Sequence, residues 1–231
     1  MAPPRGRESH NRASRKAQRK RDVWFFTEGS VTEPMFLDFL RGVDGFDDKN
    51  VVHIHDDHRQ KNGRGPARDH GRNPTDLVDA AIAQKRRLDR ENDRDKVEEQ
   101  YRAAVWCVFD HDNRPDTDHN IRRAQKAGIR VAFSHPCFEL WRLLHYQDYT
   151  ATFGGVCDDA SDRLKNRIIG AGHRYPDPKY ILPEQLEGRF DAAARRAKTL
   201  DAQHGARVPN SLRDPSTNLW ELVADLGISR Y

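Results

Sequence analysis

Apolar runs of about five to seven residues, each bounded by polar turn residues, recur along the first two thirds of the chain. They cover residues 23–27, 51–55, 103–109 and 129–133. Runs of this length are typical of strands that helices cover on both faces of a parallel sheet. Between them, apolar residues recur at helical spacing, so strands and helices alternate. The pattern predicts an α/β fold with a parallel-rich sheet and helices on both faces.

The predicted helices follow the strands at first and then dominate the last third of the chain. After the first strand, Thr32 is a candidate N-cap and Pro34 suits the first helical turn. Further helical patterns cover residues 75–101, with a weak stretch near 92, and residues 121–127, 137–145, 159–169, 185–203 and 216–226. We expect three regions: a disordered basic tail at 1–22, a catalytic core at 23–146, and a helical C-terminal extension at 147–231 packed on the core.

Length and composition indicate one polar domain of ordinary size. The chain has 231 residues, of which 36% are hydrophobic and 33% are charged. No apolar stretch approaches the roughly 18 residues that a membrane span needs, so we expect a cytoplasmic protein without membrane contact. The three cysteines, Cys107, Cys137 and Cys157, are odd in number and widely spaced. This spacing argues against a disulfide framework and against structural zinc.

Basic charge is concentrated at the N-terminus. Residues 1–22 carry eight basic side chains against Glu8 and Asp22, which is a net +6 in a chain whose total is +4. Such a segment buries too little apolar surface to fold alone. Two interpretations stay open: an arm that binds nucleic acid with a steep salt dependence, and a solubilising tail without a dedicated partner.

A second basic segment is the Gly/Arg-rich loop at residues 59–73, which is longer than most ordered connections. Loops of this length tend to be functional lids or disorder. Its basic side chains are candidates for gripping the phosphates of a nucleic acid without reading its sequence. These side chains are Arg59, Lys61, Arg64, Arg68 and Arg72.

Acidic residues follow two of the predicted strands. Glu28 comes directly after the first strand, and Asp110 and Asp112 come after the third. On an extended backbone, residues two apart point to the same side with their Cα atoms about 6 to 7 Å apart, while His111 points away. Parallel sheets place ligands at the carboxyl ends of their strands. Convergent carboxylates suit Mg²⁺, which keeps its other positions for water and phosphate oxygens, so we predict a magnesium site.

Each acidic signature has an ordinary explanation when it is taken alone. Glu28 fits a solvated turn residue or an N-terminal helix charge, and the two aspartates fit an Asx turn that caps the next helix. The joint pattern is stronger, because the three carboxylates meet only if the two strands are neighbours. A buried acidic cluster without a cation is electrostatically costly.

Further polar residues lie near the predicted strand ends. Glu139 opens a helix in apolar surroundings, where a carboxylate needs a partner such as a metal or an arginine; it is our second candidate catalytic residue beside Glu28. Glu33 either reaches the same cation or complements the helix dipole, and we favour the dipole. Ser134 and His135 either meet a phosphate at a helix N-terminus or cap it, and with His111 they are expected around the metal ligands.

Two rival sites have simpler explanations. His53 and His55 share a strand face and are candidates for zinc, but a half-exposed edge strand explains the alternation equally well and is favoured. Cys137 beside His135 suggests a thiol nucleophile, yet a cysteine that opens an apolar helix is more often buried and inert.

Four motifs, taken in order, resemble the RloB family. They span most of residues 20–228, and their combination is more specific than any one of them. The motifs are EGSVTEP at 28–34, VWCVFDHDN at 105–113, SHPCFELW at 134–141 and DPSTN at 214–218. A Tyr-x-Lys pattern that the family leads us to expect is matched only loosely, by Tyr175 and Lys179.

The resemblance implies a fold similar to Toprim proteins and a chemistry to match. In that interpretation, Glu28 corresponds to the Toprim glutamate, which acts as a general acid or base or binds a metal. Asp110 and Asp112 correspond to the Mg²⁺ ligands of the Toprim fold. The resemblance also implies a setting beside restriction and phage-defence genes, often with an ABC-type ATPase partner.

Together these features predict a Mg²⁺-dependent or Mn²⁺-dependent endonuclease, acting on DNA or RNA, that serves anti-phage defence by abortive infection. The alternative is a non-catalytic sensor or regulatory subunit of an ABC-type ATPase complex. Strand transfer through a tyrosine, as in topoisomerases, ranks last because no nucleophilic tyrosine domain is evident. The partners considered are nucleic acid, the ATPase and further copies of the chain.

Overall fold

A five-stranded sheet organises the chain in the computed structural model, which describes residues 19–44, 46, 49–55 and 73–231. Its strands are β1 (Arg21–Thr27), β2 (Asn50–Ile54), β3 (Ala104–Asp110), β4 (Arg130–His135) and β5 (Ser216–Thr217). The order is β2-β1-β3-β4-β5, and only the β4–β5 pair is antiparallel. The prediction of an α/β fold with a parallel-rich sheet is confirmed. The two-residue β5 was not predicted, because Ser216 was assigned to a helix cap.

Seven α-helices lie in the described part of the chain. They are α1 (Thr32–Arg41), α2 (Pro74–Arg94), α3 (Thr117–Lys126), α4 (Phe138–Leu144), α5 (Cys157–Gly170), α6 (Phe190–Asp201) and α7 (Leu219–Asp225). Short 3₁₀ turns occupy Glu99–Tyr101, Pro183–Gln185 and Asn210–Leu212. Local sequence determines where α2 begins. The Asn73 side chain caps the helix by accepting from the Thr75 N–H, and Pro74 has no backbone N–H that would need an acceptor.

Alternate side chains of the central strands pack into two hydrophobic cores, one on each face of the sheet. Phe25 belongs to a larger core shared with α1, α4, α5, α6 and α7, and Phe26 belongs to a smaller core shared with α2 and α3. This arrangement follows from the two-residue side-chain period of a strand. Helices therefore cover both faces of the sheet, a layout consistent with the Toprim-like arrangement that the family resemblance implies.

A disulfide corrects the expectation that the cysteines are unpaired. Cys137 and Cys157 are bonded across 20 residues of sequence, with their Cα atoms 5.7 Å apart. Cys137 immediately precedes α4, and Cys157 is the first residue of α5. Packing of these two helices brings the sulfurs together, a long-range contact that spacing along the sequence does not reveal. Cys107 is free and buried in the smaller core.

Several predictions from the sequence concern parts of the chain outside the described residues. These are most of the basic tail, at residues 1–18, and the loop bearing Arg59, Lys61, Arg64, Arg68 and Arg72. None of the described helices combines the length and the apolar composition needed to cross a bilayer.

His145 at the end of α4 is fully packed in the larger core. Its Nδ1 lies 2.8 Å from the Trp141 carbonyl oxygen, and its Nε2 lies 2.8 Å from the Tyr231 hydroxyl. A neutral ring with Nδ1–H donating to the carbonyl satisfies both contacts, since Nε2 then accepts from the hydroxyl. Burial and, to a smaller extent, the nearby charge of Arg189 lower the pKa of His145 to about 3.

We expect His145 to make folding stability depend on pH. Its folded pKa lies below the unfolded value of 6.5, so only the unfolded chain takes up the proton between about pH 6.5 and 3. Stability is therefore retained above pH 6.5 and lost as the pH falls, by about 1.4 kcal/mol per pH unit. The difference in unfolding free energy between wild type and His145→Gln should shrink by about 3 kcal/mol from pH 7 to 4.

Urea denaturation at each pH measures this difference. The exposed His119 supplies the matched control, because His119→Gln should follow the wild-type pH dependence. A constant difference between wild type and His145→Gln across this range would contradict the assignment.

Candidate metal centre

Glu28 and Asp110 meet at the carboxyl edge of the sheet because β1 and β3 are paired neighbours. The register places Thr27 opposite Val108, and the Glu28 N–H donates to the Val108 carbonyl at 2.9 Å. The Glu28 carboxylate then accepts from the Asp110 backbone N–H at 3.2 Å. The condition that these two strands be neighbours, on which the sequence prediction depended, is therefore met.

Asp110 ends β3 with its carboxylate turned into the protein. Its Oδ2 accepts from the Phe138 N–H at 3.1 Å, at the start of α4. Burial, followed by the nearby charges of Glu33 and Glu139, raises the pKa of Asp110 well above its usual range. Asp110 thus lies among other carboxylates in a site with little solvent.

Glu33 is one of these carboxylates, and its side chain turns back from α1 toward the strand end. Its Oε1 accepts from the Gly29 N–H at 2.9 Å, and the residue is 6% exposed. A Cβ at position 29 would meet this carboxylate, so a larger residue there would displace the Glu33 side chain. Burial raises the pKa of Glu33, and the charge of Glu139 adds to the shift. We favoured the interpretation that Glu33 complements the helix dipole. Its main contacts are instead the Gly29 N–H and the neighbouring carboxylates.

Glu139 approaches the same site from the first turn of α4. Its side chain is 13% exposed, and its Oε1 lies 3.8 Å from Arg142. Burial raises its pKa, while the positive charges of Arg142 and Lys179 oppose the rise. We refer to Glu28, Glu33, Asp110 and Glu139 as the acidic cluster.

Glu28 has a pKa near neutral pH. Burial raises its pKa to about 7, against the opposing effects of the Asp110 N–H and of Arg114. Arg114 lies 3.7 Å from Glu28 and 3.5 Å from Asp112, so it bridges the two carboxylates. Asp112 is close enough that its charge contributes to the raised pKa of Glu28.

Asp112 does not lie where the extended-strand argument placed it. The strand ends at Asp110, and Asp112 adopts a left-handed backbone with φ of 42°. Its side chain is 68% exposed. The assumption that both aspartates project from one extended strand was therefore wrong, because the chain turns immediately after Asp110. Asp112 lies at the rim of the acidic cluster.

Ser134, His111 and His135 were expected around the metal ligands. Ser134 contacts β5, whereas the two histidines contact each other. Ser134 is buried, and its hydroxyl lies 2.9 Å from that of Thr217 in β5, so it links the two strands. His111 and His135 stack with their ring centroids 3.9 Å apart, and His135 Nε2 lies 3.9 Å from Asp214. The first N–H of α4 binds Asp110, in the position where a phosphate was expected.

The rival sites take the simpler interpretations. His53 Nε2 lies 2.7 Å from Asp22 Oδ1, and its ring stacks on Trp24 at 4.3 Å. The His55 ring packs against Phe26. Cys137 is bound in the disulfide, so it carries no thiol that acts as a nucleophile.

Arg142 is a residue of the site that sequence reasoning missed. It is 1% exposed and donates to the carbonyls of Pro178 and Tyr180 at 2.5 and 3.0 Å and to Gln185 Oε1 at 3.1 Å. These bonds fix the segment around Lys179. The only signal in the sequence was its position three residues after Glu139, on the same helical face.

Lys179 received little weight from the sequence, yet its charge reaches the acidic cluster. Burial raises the pKa values of Glu33 and Glu139, and the charge of Lys179 opposes that rise. The Lys179 carbonyl accepts from the Thr32 hydroxyl at 3.1 Å. The segment 178–180 therefore lies against the start of α1 and beside the carboxylates.

The donor chemistry of the acidic cluster fits a hard divalent cation. Its donors are carboxylate oxygens, the ligands that Mg²⁺ and Mn²⁺ take. Their raised pKa values reflect buried negative charge that the neighbouring cations offset only in part. Among the described residues, the one group of three candidate ligands whose atoms lie within 4.8 Å of one another is a different set: Cys137, Glu139 and Cys157.

Comparison with known families gives one match. A family model described as RloB-like protein matches residues 23–226, which includes every member of the acidic cluster. No curated protein and no solved structure matches the chain.

We expect a divalent cation to stabilise the fold through Asp110. At 100 times its dissociation constant, a ligand of the native state adds about 2.7 kcal/mol, which raises the melting temperature by roughly 5 to 10 °C in a chain of this size. The expected shift with Mn²⁺ or Mg²⁺ is present in wild type and absent in Asp110→Asn. In EDTA, Asp110→Asn should melt at or above the wild-type temperature, because it removes a buried charge from among like charges.

Differential scanning fluorimetry with and without the cation makes this measurement. The control is Asp38→Asn, which changes an exposed aspartate on α1 and should preserve the shift. Equal shifts in wild type and Asp110→Asn would contradict binding at the acidic cluster.

Proposed function

We propose that this chain, which belongs to the RloB-like family, is a Mg²⁺-dependent phosphodiesterase that cleaves nucleic acid as an effector of anti-phage defence. The observation that carries the proposal is that the Glu28 carboxylate accepts from the Asp110 backbone N–H at 3.2 Å, within a largely buried group of four acidic residues. Such a group at the carboxyl ends of parallel strands suits the binding of a cation and a phosphate.

The proposed cation ligand is Asp110, with Asp112 reaching the site from its rim. When bound, the cation supplies positive charge that neutralises a non-bridging phosphate oxygen and the charge that develops on it. Glu33 and Glu139 hold the inner wall of the site, where their negative charge favours a cation over an empty pocket.

Glu28 is the proposed general base. A base works best when its pKa lies near the working pH, and burial places the pKa of Glu28 at about 7. In this role Glu28 accepts a proton from the attacking water. Arg114, 3.7 Å away, orients the carboxylate and offers its guanidinium to a phosphate oxygen.

Basic side chains are proposed to bind the phosphates of the nucleic acid. Arg114 and Lys179 lie beside the acidic cluster and are proposed to contact the reacting phosphate. The basic side chains of the 59–73 loop and of the N-terminal tail are proposed to contact flanking phosphates, which position a substrate without specifying its sequence. An ABC-type ATPase partner, which the family resemblance implies, completes the proposal.

We expect Asp110→Ala to lower cleavage at least about 100-fold, the scale seen when one electrostatic stabiliser is removed from an active site. Glu28→Gln should have a comparable effect, because the amide does not accept a proton at neutral pH. The assay incubates the full chain and Mg²⁺ or Mn²⁺ with plasmid, single-stranded DNA and tRNA, and it is repeated with EDTA.

Asp38→Asn again serves as the matched control and should cleave at the wild-type rate. Equal cleavage by wild type and Asp110→Ala would refute the assignment. The assay is also run with an ABC-type ATPase partner and ATP, and an inactive wild type under those conditions would favour the regulatory-subunit alternative.

A further inference from the structure

Three potential metal ligands converge at the junction of α4 and α5. Cys137 precedes α4, Glu139 lies in its first turn, and Cys157 begins α5. Their donor atoms all lie within 4.8 Å of one another. We name this group the thiol site. In the structure its two sulfurs are joined as a disulfide.

The Glu139 carboxylate divides its contacts between two neighbours. Its Oε1 faces Arg142 at 3.8 Å, and its Oε2 lies 3.4 Å from the sulfur of Cys157. A disulfide sulfur carries no hydrogen, so that contact is not a hydrogen bond in the oxidised protein. A nearly buried carboxylate oxygen is therefore held against sulfur, at a position where it can act as a third ligand.

Reduction turns this group into a donor set for a metal. A dithiol reductant transfers two electrons and two protons to the sulfurs, so that the Cys137–Cys157 bond breaks and the reductant becomes a disulfide. The two thiols release their protons when they bind a metal. Two thiolates and one carboxylate suit Zn²⁺, and three protein ligands leave a fourth position for water.

Distances and access both favour such a site. Ligands bound at about 2.0 to 2.3 Å in a tetrahedral zinc site lie roughly 3.3 to 3.8 Å apart. The Glu139 oxygen already lies 3.4 Å from the Cys157 sulfur, and the two sulfurs move apart once their bond is reduced. Cys137 is 4% exposed, whereas Cys157 is half-buried beside the exposed Val156. Attack by a reductant on the Cys157 sulfur is therefore the open route.

We propose that the reduced protein binds a thiophilic divalent cation of the zinc class through Cys137, Cys157 and Glu139, and that formation of the disulfide abolishes this site. The thiol site differs in chemistry from the acidic cluster, whose donors are all oxygens, and shares only Glu139 with it. The proposal does not depend on phosphodiesterase activity. It assigns to these cysteines a zinc site that their spacing in the sequence argued against.

Co²⁺ is the probe for this site, because its bonds to thiolates give a charge-transfer absorption in the near ultraviolet that carboxylates do not give. The full chain is reduced with dithiothreitol, freed of the reductant without oxygen, and titrated with Co²⁺ in excess Mg²⁺. We expect the absorption to saturate at one Co²⁺ per chain and to disappear on addition of Zn²⁺. The oxidised protein, treated in the same way, should give no such absorption.

Variants identify the ligands. Cys107→Ser removes the free, buried cysteine of the smaller core and should keep the full absorption, whereas Cys157→Ser should lose it. Glu139→Gln keeps both thiols and should weaken Co²⁺ binding at least about tenfold, a loss no smaller than that caused by changes outside the first ligand shell.

The comparison of oxidised and reduced wild type tests the proposal even if a variant fails to fold. Absence of the absorption from the reduced wild type would overturn it. A Cys157→Ser variant that retains the wild-type absorption and stoichiometry would do the same.

Discussion

Parallel pairing of β1 with β3 is the interaction on which the candidate site depends. It sets Thr27 opposite Val108 and allows the Glu28 carboxylate to accept from the Asp110 N–H. The pairing is held by apolar side chains on both faces, with Phe25 in one core and Phe26 in the other. A shift of one residue would send each side chain to the opposite face, so the same packing that stabilises the sheet fixes the positions of the acids.

Concentrating carboxylates at this edge works against stability, since buried like charges repel and lose their solvation. The raised pKa values of Glu28, Asp110 and Glu139 express that cost. Backbone N–H groups and a few cations offset part of it. Arg142, buried and bonded to the segment at 178–180, is one structural link between the C-terminal region and the acidic cluster.

The C-terminal region also completes the sheet and the junction beside the site. β5 pairs with β4 through Ser134 and Thr217, and α5 is joined to the start of α4 by the disulfide. Because α4 carries both Glu139 and the N–H that binds Asp110, these distant segments help to fix the inner wall of the acidic cluster. Glu139 is the residue that the acidic cluster and the thiol site have in common.

The sequence by itself determined the α/β class, the four parallel strands and the convergence of Glu28 with Asp110, because these follow from local apolar periods and from where each strand ends. Only the tertiary structure decided the features that rest on long-range contacts or on the exact end of a strand. Asp112 lies at the rim of the acidic cluster because β3 ends at Asp110. The Glu33 side chain lies inside the cluster, where it accepts from the Gly29 N–H. The disulfide between Cys137 and Cys157 depends on helix packing that no local pattern encodes. The same is true of the hydrogen bonds by which Arg142 holds the segment around Lys179 beside the acidic cluster.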